Sequence, residues 1–519
     1  MNRVSFILHA QVFPLRDALR HINREFAVAV QEGAVHLASE PGPGVITVPA
    51  FPLENLGDST FCRDMGIRYP YAGGSMAKGI SSAAMVEELA GAGMLGFFGA
   101  AGLPLAEVER AIRRLAPYRN GCGFNLIHSP HEPDLESALV DLYLRFDVNL
   151  IEASAFLNLT LPLVRYRVNG IHRSSDGRIV TPRRVIAKIS REELAAKFFA
   201  PPPENLLREL VAAGDITGEQ AELAAQIPVA QDITAEADSG GHTDNRPAMA
   251  LFPTICSVRD RMQQTCRFDC QLRVGLAGGI ATPLSAAAAF TMGAAWIMTG
   301  SVNQACIESG TSDDVRTMLA ETRQADIAMA PAADMFEMGV TVQVLKRGTM
   351  FSMRGARLYE LYRSYPSIEA IPAADRDKLE KTFFRATLEE IWRETSDYFQ
   401  QRDPSQVTRA KQDPKHRMAL VFRWYLGQAS HWANRGEPSR KIDYQVWCGP
   451  AMGAFNEWAT GSFLEKKENR KTVTVAWNLL HGAAVAQRIA MLRFQGIQLP
   501  HDATTIAPAN LDQIKEYLH

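Results

Sequence analysis

Residues 228–243, PVAQDITAEADSGGHT, hold the pattern that decides the fold. Val229, Ala230, Ile233 and Ala235 alternate with polar neighbours in the rhythm of a buried strand, which breaks at Ser239-Gly240-Gly241 before His242. Two glycines remove the Cβ atoms that would hold a ligand off the backbone. His242 then stands at the carboxyl end of a strand, where parallel-sheet proteins carry their chemistry. Taken alone, the segment also reads as a plain Gly-Gly turn with a hydrogen-bonded histidine.

The same unit of strand, turn and helix recurs on both sides. Downstream, RVGLAGGIATP (273–283) and AAWIMTGSVNQ (294–304) each run from a strand through glycine into a helix start. Upstream stand YPYAGGSM (69–76), MLGFFGAAG (94–102), GCGFNLIHSP (121–130), VNLIEASAF (148–156) and VIAKIS (185–190), with Ser81 placed to cap the helix after the first. Eight strand signals alternating with helices over about 240 residues predict an α/β fold, a closed (β/α)8 TIM barrel, with an open doubly wound sheet as the alternative. The G-x-G-x-x-G at Gly91–Gly96 runs from helix into strand, the reverse of a dinucleotide-binding turn, and is discarded.

The barrel pattern occupies residues 61–310. Residues 1–60, rich in Pro and Gly, read as an N-terminal extension of loops, edge strands and one short helix. Residues 311–519 read as a helical C-terminal region capping or flanking the barrel, because strand signals almost vanish there; SDDVRTMLAETRQADIAMAPAADMFEMG (312–339) is among the helical segments. Trp424, Tyr425, Trp432, Tyr444, Trp447 and Trp458 gather in this region, as helix-packing residues or as a roof over the barrel mouth.

Composition excludes several classes. A chain of 519 residues with 46% hydrophobic and 22% charged residues is an ordinary globular protein. A formal net charge of −2 carries no polyanion-binding signature, so neither nucleic acid nor an anionic membrane is an expected partner. No window approaches the roughly 18 unbroken apolar residues of a membrane span, and no small-residue cleavage site follows the first apolar run; the cytoplasm is the expected compartment. Seven cysteines without tight pairing fit reduced thiols, and the spacing of Cys256, Cys266 and Cys270 lacks the close pairs of zinc sites, so no metal is expected.

Strand ends seven and eight place backbone N–H groups and helix starts together, which suits a phosphate; Gly278, Gly279, Gly300 and Ser301 are the candidates. With glycines at strand ends one and six, Asn125 at three and Lys188 at five, the ring of ends suits a phosphorylated planar cofactor. Asn125 could bond a heteroatom of an isoalloxazine, and Lys188 could stabilise its reduced anion or its phosphate. The plainer alternatives are a turn-stabilising asparagine and a snorkelling surface lysine.

YAGGSMAKGIS, FNLIHSP, AKISREELAAKFFAPPP, DITAEADSGGHTDNRP, TGSVNQACIESGTS and WCGPAMGAFNEW, with further strings between, strongly resemble the PfaD family over about residues 50–490. That family comprises trans-acting enoyl reductases of polyunsaturated fatty acid and trans-acyltransferase polyketide synthases. More distantly, the Gly-Gly-His segment is similar to nitronate monooxygenases and FabK-type enoyl reductases. The resemblance implies a barrel bearing FMN against Ala72, Gly73, Gly74, Asn125, Lys188, Gly240, Gly241, Gly278, Gly279, Gly300 and Ser301. It also implies His242 as the catalytic proton carrier, NADPH or NADH as reductant, and an acyl carrier protein as partner; a homo-oligomer is left open. Asp238-Ser239 depart from the Glu-Ala that precedes Gly-Gly-His in the smaller relatives, and the helical tail has no counterpart in them. A nitronate monooxygenase-like oxygenase and a flavin-free scaffold for synthase modules are the rival functions.

Overall fold

The computed structural model describes residues 15–31, 34–38, 42–128, 130 and 133–519. Eight parallel strands close on themselves: β1 (Tyr71–Gly73), β2 (Leu95–Phe98), β3 (Cys122–Ile127), β4 (Leu150–Ser154), β5 (Arg184–Ile189), β6 (Asp232–Glu236), β7 (Arg273–Ala277) and β8 (Ile297–Thr299). Strand β8 pairs with β1, Ile297 opposite Tyr71, so no edge remains and the open-sheet alternative falls. Seven of the strands lie inside the segments that the sequence marks, and β5 begins one residue before its segment, at Arg184.

Below the mouth the barrel is solid. Phe61, Phe97, Ile186, Trp296 and Met298 fill it, with Phe61 and Trp296 stacked at 4.1 Å. Gly275 makes room for the indole: a Cβ there would overlap the Trp296 ring. Gly275→Ala is therefore expected to overpack the core and cost about 1–3 kcal/mol. Thermal unfolding checks this; an unchanged Tm would mean that the indole yields freely.

Helix capping departs from expectation by one residue. Ser82, in extended conformation, caps Ala83–Gly91 by accepting from the Met85 N–H at 3.1 Å. Ser81 instead accepts from the Met76 N–H at 2.9 Å and donates to the Gly74 carbonyl at 2.8 Å. It fastens the loop after β1, because the chain has not yet entered the helix at that point.

The larger departure lies beyond the barrel. Of residues 312–339, read as helical, only Asp313–Ala320 forms an α-helix. Ile327–Pro331 (β9) and Thr341–Leu345 (β10) form an antiparallel hairpin, Met329 opposite Gln343. The hairpin pairs through β10 with the short strand Gly241–His242, which extends from the end of β6. Its strand character comes from that distant partner, so local periodicity does not report it.

Helices Phe351–Ser364, Leu388–Arg402 and Pro414–Arg435 then pack around a second core that includes Phe336, Phe351, Phe422 and Tyr425. Helix Thr472–Phe494 lies against barrel helix Pro283–Thr291, and a Cβ on Gly482 would meet Pro283 at 2.6 Å. The buried Arg488 of that helix donates to the carbonyls of Leu19, His21 and Arg24, pinning the N-terminal segment to it. Among the described residues no helix is long and apolar enough to cross a membrane.

Candidate active site

Loops at the carboxyl ends of the strands and the β9–β10 hairpin enclose a cavity of about 290 Å³, and a second lobe of about 90 Å³ opens beside it. Both lobes share Ser75, Met76, Lys188, Glu236 and Gly240, so they form one space. Asn125, Gly241 and His242 line the larger lobe; Gly74, Gly278, Gly279, Gly300 and Ser301 line the smaller. Ala72 and Gly73 line neither. Ala72 packs into the core beneath, and a Cβ on Gly73 would lie 2.5 Å from the Leu89 side chain.

The glycines serve different needs. Around an added Cβ at Gly279 or Gly300 no heavy atom lies within 4 Å, so these two leave space open to the smaller lobe. Gly278, at φ +86°, is required by its own backbone, and a Cβ there would strike the Ala237 carbonyl carbon at 2.6 Å. Gly240 admits the Cys448 backbone, 2.9 Å from where its Cβ would stand. The Ser301 hydroxyl accepts from the Gly449 N–H at 3.1 Å. Ser239 lines the smaller lobe with a buried hydroxyl that has no partner among the described residues.

Lys188 sits between two carboxylates, Glu236 at 3.4 Å and Glu152 at 3.6 Å. Burial disfavours its charge, but the two carboxylates outweigh burial and hold its pKa above the ordinary lysine value. Glu152 is fully buried in the middle of β4, and burial lifts its pKa against the pull of Lys188 and of the Ser75 side chain. Asn125, also buried, donates from its amide to the Ser154 hydroxyl at 3.1 Å and to the Glu152 carbonyl at 3.3 Å. Its side chain is thereby fixed across β3 and β4.

His242 is oriented from the C-terminal region. Its Nε2 lies 3.2 Å from the Asp334 carboxylate, which hangs from the turn between β9 and β10. Burial alone would depress the imidazole, but Asp334 prevails, with Glu236 adding to it, and the pKa rises above the ordinary histidine value. Asp334 in turn is held below the usual carboxylate range, His242 overcoming the opposing effect of burial.

Sequence reasoning missed Glu152, Glu236, Asp334 and Lys78. The first two carried a signal, since Glu152 is the one acid inside the strand string LIEAS and Glu236 closes the string DITAE, where an apolar run meets its turn. Asp334 and Lys78 carried none, because their roles depend on what folds against them.

The inserted helical domain of [acyl-carrier-protein] S-malonyltransferase is the family model that matches, over residues 365–444. A polyunsaturated fatty acid synthase polypeptide of Thraustochytrium sp. (strain ATCC 26185 / S-3) is 47% identical over 471 residues, 88% of this chain and 31% of that polypeptide. The polyketide biosynthesis protein PksE of Bacillus subtilis (strain 168) is 45% identical over 435 residues, 83% of this chain and 56% of that protein. The chain thus spans under a third of the first and just over half of the second. The enoyl reductase domain of MlnA, from the macrolactin biosynthesis cluster of Bacillus amyloliquefaciens, superposes with a TM-score of 0.81 at 38% identity, covering 86% of this chain and 100% of that one. Sharing that whole domain and its closed barrel, the chain belongs to the PfaD-type enoyl reductase family of polyunsaturated fatty acid and polyketide synthases.

Proposed function

We propose that this protein is an FMN-dependent, trans-acting enoyl reductase that reduces the α,β double bond of enoyl thioesters carried on an acyl carrier protein, with NAD(P)H as reductant. The observation that carries this reading is the His242–Asp334 pair on the same two-lobed cavity as Lys188, with a glycine-walled lobe at one end.

The residues fit the cofactor. Gly279 and Gly300 leave open space, and the unpartnered Ser239 hydroxyl beside them suits a phosphate oxygen. Lys188 and Asn125 are fixed at the barrel mouth, where the flavin ring would rest. When bound, reduced FMN supplies a hydride, and NAD(P)H restores it. His242 supplies the proton. When the imidazole is protonated, Nε2–H is held by Asp334 and Nδ1–H remains for the substrate α-carbon. Packing of the hairpin and of Trp447 over the mouth keeps water from the reacting carbons.

Flavin titration and anaerobic half-reactions test the proposal. The protein is expected to bind FMN, to be bleached by a reduced nicotinamide and to be reoxidised by an enoyl-carrier thioester. No flavin binding would favour the scaffold; oxygen uptake on nitronate without any nicotinamide requirement would favour the oxygenase.

The pH dependence follows from Asp334. Asp334→Asn removes the carboxylate that raises the imidazole, burial then prevails, and the basic limb of the kcat profile moves to lower pH. The ion pair's stabilisation is complete below about pH 6.5, the unfolded histidine value, and fades as pH rises through the higher folded value. A profile unmoved by the substitution would detach Asp334 from His242.

A further inference from the structure

Lys78 belongs to the loop after β1 and lines the larger lobe together with His242 and Asp334. Its backbone is left-handed, at φ +58°, a conformation that few non-glycine residues adopt and that persists where surroundings enforce it. The side chain crosses the mouth to helix Pro414–Arg435, donating to the Gly427 carbonyl at 3.0 Å and to the Ser430 hydroxyl. An ammonium has three N–H donors, and the third has no hydrogen-bond acceptor among the described residues. Lys78 also makes no ion pair among them, although the Trp447 ring lies 6.0 Å away. Burial lowers its pKa and Asp334 offsets part of that, leaving it at about 8, so the amine stays mainly protonated at neutral pH.

A half-buried cation left short of partners is costly, and the proposed reaction, on which this inference rests, has a use for it. Hydride from the reduced cofactor adds at the β-carbon, the alkene pair moves to the bond between the α-carbon and the carbonyl carbon, and the carbonyl pair goes to oxygen. His242 then protonates the α-carbon and the pair on oxygen re-forms the carbonyl. One hydride, drawn from the nicotinamide, and one proton are consumed. Charge therefore peaks on the thioester oxygen between the two transfers. Lys188 is already neutralised by Glu152 and Glu236, and His242 is engaged at the α-carbon.

We infer that Lys78 is a catalytic residue whose free N–H donates to the thioester oxygen as the enolate forms. The site accordingly binds stable enolates of the same class, such as 3-oxoacyl thioesters, in their ionised form.

Acetoacetyl-pantetheine serves as the probe, because its enolate absorbs in the near ultraviolet and requires no turnover. Mixed with the FMN-loaded protein at pH 7, it is expected to show a difference band from an ionised fraction about 10-fold above that of the free thioester. Lys78→Met is expected to abolish the band and to slow reoxidation by an enoyl thioester about 10²- to 10³-fold, while bleaching by reduced nicotinamide proceeds as before. His242→Gln is expected to keep the band and lose reoxidation. Should Lys78→Met fold poorly, Lys78→Gln, which keeps a donor without the charge, carries the same readouts. A folded Lys78 variant with the band and reoxidation intact overturns the inference. Failure of wild-type holoenzyme to be reoxidised by any enoyl thioester defeats the proposed function instead, and the band still decides the fate of Lys78.

Discussion

His242→Ala is expected to keep its flavin and to lose about 10²- to 10⁴-fold in turnover with an enoyl thioester, the usual worth of a positioned general acid. The two effects separate because different atoms are involved. Pairing of Gly241–His242 with β10 runs through the backbone and survives removal of the imidazole. The smaller lobe is walled by Gly279, Gly300, Ser239 and Ser301, none of which touches His242 through a hydrogen bond. Visible absorbance reports the bound flavin and the steady-state rate reports the acid. Wild-type turnover in this variant would remove His242 from the mechanism.

Lys188→Met is expected to cost about 3–5 kcal/mol of stability and to weaken flavin binding. Removing the cation leaves Glu152 and Glu236 facing each other in the barrel without compensation, and breaking a buried ion pair on one side typically carries that penalty. The penalty should shrink as pH falls, because Glu152, already lifted by burial, takes up a proton and discards its charge. Adding Glu152→Gln to Lys188→Met should recover part of the loss at neutral pH. Denaturant unfolding at two pH values checks both statements, and wild-type stability for the single variant would show that the carboxylates do not depend on Lys188.

The eight barrel strands were legible because each carries its own label, an apolar run ended by a turn, and because a barrel joins neighbours in sequence as neighbours in space. The lobe-lining residues at strand ends three, five, six, seven and eight were legible for the same reason. Ala72 and Gly73 were less so: the Gly-Gly turn after β1 marks a place, and only packing decides which of its residues faces the cavity and which faces Leu89. Ser81 and Ser82 differ by one position, within the normal uncertainty of a helix start, and the cap fell to the residue whose backbone was still extended.

From the sequence alone come the closed barrel, the strand end that bears His242 and the glycine turns at β7 and β8, all set by local apolar pattern and by residues that only certain turns accept. Tertiary structure decided what surrounds them. Gly241 meets Gln343, His242 meets Asp334, Gly240 meets Cys448 and Lys78 meets Gly427, contacts between residues roughly 90 to 350 positions apart. The order of side chains encodes local conformation directly. Partners so distant are chosen only when burial brings them together, so the protonation of His242 and the placement of Lys78 belong to the folded chain.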